Sequence, residues 1–126
     1  MSIDLWLEAD DQLPEDALGV LLREAGAVQF ELENGSVGFA FQSGPNAFPR
    51  GADGAPRIKA EDPRGLGFAV ASRCVFRPTS GEYDECMADL RQLLESVVER
   101  TGAHFVVSFQ LEETLFLNSG KGLQCL

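Results

Sequence analysis

The chain has 126 residues, 44% of them hydrophobic, and its 20 acids and 10 bases give a net charge of −10. That length suits one domain with its own core, and that apolar content excludes compositional disorder. A surface this acidic repels DNA, RNA and anionic lipid, so nucleic acid and membrane are excluded as partners, whereas a basic protein would be drawn in quickly at low salt.

The N-terminal stretch Met1–Glu8 has no basic segment followed by an apolar run, and nothing approaches the roughly 20 apolar residues of a membrane span. A cytoplasmic protein that begins at or near Met1 is expected. Cys74, Cys86 and Cys125 form no C-x-x-C pair and leave an odd thiol, which fits reduced cysteines in a reducing compartment.

Ile3, Leu5 and Leu7 alternate with Asp4, Trp6 and Glu8, the period of a strand with one buried face. After the acidic turn Asp10-Asp11, Pro14 fits the first helical position and Glu15 and Asp16 favour the positive end of the helix dipole. Gly26 supplies a stop, so the pattern predicts a helix from Pro14 to Ala25. Val28, Phe30 and Leu32 then alternate up to a tight Asn34-Gly35 turn, followed by Val37, Phe39 and Phe41. The hairpin so predicted has one aromatic and aliphatic face and an outward face carrying Glu31 and Glu33.

Residues 43–65 read as a long loop, with Pro45, Pro49, Pro56 and Pro63 spread among glycines. The segment holds Arg50, Arg57, Lys59 and Arg64, whereas residues 1–33 hold nine acids against Arg23 alone. A strand over 66–77 follows, with Phe68, Val70, Cys74 and Phe76 on one face and Ala69, Ala71 and Val75 on the other, which places it inside the sheet. Thr79-Ser80-Gly81-Glu82 fits a capping box, and Tyr83, Met87, Leu90, Leu94, Val97 and Val98 recur at helical spacing up to Gly102. Phe105, Val107, Phe109 and Leu111 mark another strand; 114–118 and 123–126 make a terminal hairpin. The predicted fold is α+β, a mainly antiparallel sheet with two helices in the order βαββ, long loop, βαββ, within one domain over 1–126.

No catalytic, metal-binding or phosphate-binding constellation emerges. His104 is the one histidine and needs converging partners to act. A Cys74–His104 dyad would require adjacent strands. The acids at 10–16 lack the spacing that wraps a cation, and no glycine pattern cradles phosphate. The chain is expected to be non-catalytic, to hold no cofactor and no metal, and to be a monomer or weak homodimer. What remains is surface recognition: Asp10, Asp11, Glu31 and Glu33 as charged contacts, with Trp6 and Phe48 as apolar anchors.

In overall character across its whole length, the chain resembles the small acidic α+β immunity proteins that bacteria make to neutralise secreted toxins. The resemblance implies stoichiometric inhibition of a basic toxin by covering its active site. Two other classes stay open. The βαββ halves could pair into a cupped, metal-free ligand-binding sheet similar to the glyoxalase and bleomycin-resistance family, or the chain could be a structural adaptor subunit.

Overall fold

A computed structural model describes residues 4–78 and 83–126. Eight strands form one sheet: β1 Leu5–Ala9, β2 Val28–Glu31, β3 Val37–Ala40, β4 Asn46–Gly51, β5 Ser72–Arg77, β6 Phe105–Phe109, β7 Glu113–Asn118 and β8 Gln124–Cys125. Their order is β2-β3-β4-β5-β1-β6-β7-β8, and each neighbouring pair is antiparallel. With the helices α1 Glu15–Glu24 and α2 Tyr83–Arg100, this is the α+β architecture expected, terminal hairpin included. Among the described residues no helix is long and apolar enough to cross a membrane.

Both helices cover one face of the sheet. Leu5, Leu7 and Ala9 of β1, Cys74 and Phe76 of β5, and Phe105 and Val107 of β6 point into a single core with Leu18, Leu21 and Leu22 of α1 and Leu90, Leu93, Leu94 and Val97 of α2. The helical residues recur every three or four positions, the stripe that a helix needs to seat on a sheet. Pro14, with φ −67°, lies just before α1 rather than at its first position, and Gly26, with φ +96°, ends it. The predicted capping box at 79–82 lies outside the described residues.

β1 sits between β5 and β6, so the two halves of the chain interlock. In the first half the last strand of the meander, β4, lies innermost; in the second half it is the first, β6. The likeness between halves is therefore one of element order only, and the two separate paired modules of a cupped sheet do not form.

Three expectations change on folding. Residues 46–51, predicted as loop, form β4, which pairs along its whole length with β5 but with β3 only at Asn46 and Ala47. Pro49 falls beyond that contact with β3, where its missing N–H breaks no ladder bond. The loop runs from 52 to 71 instead of 43 to 65, because β5 begins only at Ser72. All of Ser72–Phe76 is buried, as expected of a strand inside the sheet.

The third change is one of register. Three residues, Glu33 to Gly35, separate Leu32 from Ser36, whose carbonyl accepts the Leu32 N–H at 2.8 Å, and Gly35 takes φ +84°. This is the three-residue turn closed by a left-handed glycine, not the two-residue Asn-Gly turn. Phe30 therefore opposes Gly38 and Gln29 opposes Phe39. A slip of one residue exchanges the faces of a strand. Phe30 thus points away from the helices, and Glu31, opposite Val37, lies on the helical side of the edge strand.

Candidate functional site

The second sheet face follows from the same alternation. Trp6 opposes Val75 on one side and Ser108 on the other, and Val75 opposes Phe48. Phe48, predicted on a loop, thus shares a strand face with Trp6. Phe30 lies across Gly38, where an added Cβ would meet its ring at 2.5 Å, and reaches Phe48 edge-on at 6.1 Å between centroids. Glycine at 38 is what lets the row Phe30, Phe48, Val75, Trp6 close up.

Two arginines stack on this row. The Arg50 guanidinium stands 5.7 Å from the Trp6 ring centre and that of Arg77 stands 5.6 Å from the Phe48 ring. Cation–π contacts of this kind contribute about 0.5–1 kcal/mol at exposed sites. Arg77 also donates from Nε and Nη2 to Asp4 at 2.8 and 3.1 Å, and this pairing holds its guanidinium above the usual arginine range. Between these strands and the β2–β3 turn lies an open cleft of about 530 Å³, lined among others by Asn34, Ser36, Phe48, Arg50, Val75 and Arg77.

The other half of the same face is covered. Glu8, on the side of the first strand that alternation assigns to solvent, is fully buried and bonded to Arg73 at 3.0 Å. Its carboxylate also accepts the Lys59 and Ala60 N–H groups at 2.7 and 2.9 Å. Arg73 donates in addition to the Ala52 and Arg57 carbonyls. This pair fastens the 52–71 loop across β1, β6 and β7, and Asp62, whose carbonyl accepts from Thr114, anchors its far side. Ala60 and Val70 of the loop and Val106 and Leu117 of β6 and β7 are buried here, outside the main core. The long insertion is thus an ordered cover rather than a free strap, and it leaves only the aromatic half of the face open.

The acidic candidates do not converge. Asp10 is used internally: it accepts the Gln12 N–H at 3.0 Å and the His104 N–H at 3.1 Å, tying the end of β1 to the start of β6. Asp11 is exposed beside it. Glu31 and Glu33 are exposed at the β2 edge, four strands away, or about 19 Å at ordinary strand spacing. Of the six residues proposed from sequence, Trp6 and Phe48 meet in one site. Asp10→Ala is expected to cost about 1–2 kcal/mol of stability through its two lost backbone bonds, seen as a lower urea midpoint. An unchanged midpoint would return Asp10 to the list of free surface acids.

Sequence reasoning passed over Arg50 and Arg77, whose signal, a cation at alternate spacing from Phe48 or paired across from its strand, exists only once the register of β4 and β5 is known. The Cys74–His104 dyad does not form, because β1 separates their strands. Burial pushes the Cys74 thiol up to about 12, which leaves it inert at neutral pH. No group of three or more His, Cys, Asp or Glu side chains converges for a metal among the described residues.

An antiparallel sheet, helices on one face and a half-covered aromatic and arginine strip on the other, defines an α+β domain with one open sheet face. Comparison of the chain with protein-family models, curated proteins and solved structures finds no significant match to any of them.

Proposed function

We propose that this protein is a non-catalytic binding protein that engages another protein through its open sheet face, in the manner of an immunity protein that covers the active site of a basic toxin. The observation that carries the reading is the row Phe30, Phe48, Val75, Trp6 with Arg50 and Arg77 set upon it. Trp and Arg dominate the binding energy of protein interfaces, and rigid aromatics supply contact area at low entropic cost. The net charge of −10 supports a basic partner, since it accelerates encounter with one. The two helices alone carry eight acids against three bases, Arg23, Arg91 and Arg100.

The test is affinity capture from native lysate with three baits: wild type, Trp6→Ala and Phe48→Ala. One basic protein retained stoichiometrically by the wild type and held at least 30-fold more weakly by each variant is the expected result, the size of a hot-spot loss of about 2 kcal/mol. The same protein held equally by all three baits would refute the assignment of this face.

A further inference from the structure

Arg50 and Arg57 are exposed arginines whose guanidinium groups form no ion pair or hydrogen bond with a described residue, and of the two only Arg50 shares a cleft with a second arginine. Arg64, Arg91 and Arg100 pair with Asp62, Glu95 and Glu24, and Arg23 donates to Gln29. Arg50 is exposed, lies in a cleft with a second arginine, and its guanidinium donates no hydrogen bond to any described residue, although acids outnumber bases two to one. Asp53 lines the same cleft and forms no ion pair with it. Arg77 uses Nε and Nη2 on Asp4, and its Nη1 has no partner among the described residues. The cleft therefore offers an apolar floor at Phe48 and Val75, two guanidinium groups with donors unused among the described residues, and a volume within the range of small-group binding sites.

We propose that this cleft receives a carboxylate, an Asp or Glu side chain of the partner protein, held by Arg50 and Arg77 above the Phe48 ring. The proposal rests on the reading of the open face as the binding face and specifies the chemistry at its centre. A guanidinium matches a carboxylate with two parallel N–H donors, and a charge desolvated within a contact has to be paired. Arg50 would leave the Trp6 ring or bridge from it, since among the described residues its guanidinium has the ring contact and no hydrogen bond. A partner that is basic overall still carries carboxylates, and the one seated here fixes the register of the two surfaces.

The probe is benzoate, with benzamidine as the cation of the same shape. The readout is the indole N–H of Trp6, the only tryptophan in the chain, together with the amides of 46–51 and 72–77 in a ¹⁵N spectrum. Benzoate should shift these signals saturably, benzamidine should not, and Arg50→Gln, which removes no hydrogen bond to a described residue, should weaken benzoate at least tenfold while the amides of α1 and α2 keep their wild-type positions. Saturation by benzamidine, no response to benzoate, or equal benzoate binding by Arg50→Gln would each overturn the proposal. With a captured partner, Arg50→Glu should lose binding and an Asp or Glu to Lys change in the partner should restore it; failure of every such swap would also overturn it. Loss of capture by Trp6→Ala alongside silence towards benzoate would sink the carboxylate and spare the binding face. A benzoate site with no captured protein would sink the carrier and the binding reading together, leaving only a site for a free carboxylate.

Discussion

Arg73→Met is expected to lower folding stability by about 3–5 kcal/mol, the usual cost of removing one partner from a buried ion pair. Arg73 and Glu8 are 2% and 0% exposed, and the pair is more than a charge contact. Its loss leaves the Glu8 carboxylate uncompensated in a dry site and strips donors from the Ala52 and Arg57 carbonyls. Replacing both residues by Met restores packing in many buried pairs. Here it is not expected to, because the Lys59 and Ala60 N–H groups lose their acceptor as well. Urea unfolding of the single and double variants measures the stability. Trypsin reports the loop, since Arg57, Lys59 and Arg64 become cleavable once it is released. A double variant as stable and as resistant as the wild type would show that the pair does not fasten the loop.

Phe39→Ala is expected to cost a similar amount, about 3–5 kcal/mol, from lost burial and the cavity left behind. The ring is 2% exposed, sits under Gly19 of α1, where an added Cβ would be 3.6 Å from its tip, and has the Arg23 guanidinium 5.8 Å from its centre. It packs against α1 from β3, beside Leu18, Leu21 and Leu22 in the same core. Phe39→Leu keeps most of the volume and should cost under about 1.5 kcal/mol. Calorimetry or urea unfolding measures both, and amide exchange in α1 should rise selectively in the alanine variant. Equal stabilities for the two would mean that the volume of the ring adds nothing to the packing under α1.

Much of this fold is legible in the sequence because one face of each element meets the helical core. Leu5 and Leu7, Phe39, and the stripe from Leu90 to Val97 all lie where period alone places them. The failures share a cause. Alternation gives a strand two faces but not which one the partner shares, and at β2 one extra residue in the turn decides it. The same rule hid β4: Pro49 reads as a breaker until its neighbour strand is seen to end before it. Glu8 looked like an exposed acid because its buried partner, Arg73, lies 65 residues away and the loop that covers it is read as open chain. Trp6 and Phe48 were legible as anchors one at a time. Their meeting, and the arginines upon them, depend on the order β4-β5-β1, which nothing local encodes.

The most direct test of the open sheet face as the binding site is a ¹⁵N spectrum of this protein titrated with its captured partner, unlabelled. The single Trp6 indole signal and the amides of 46–51 and 72–77 are predicted to shift or broaden at one equivalent, with α1 and α2 unmoved. Changes confined to the two helices, with the Trp6 indole unperturbed, would contradict the account.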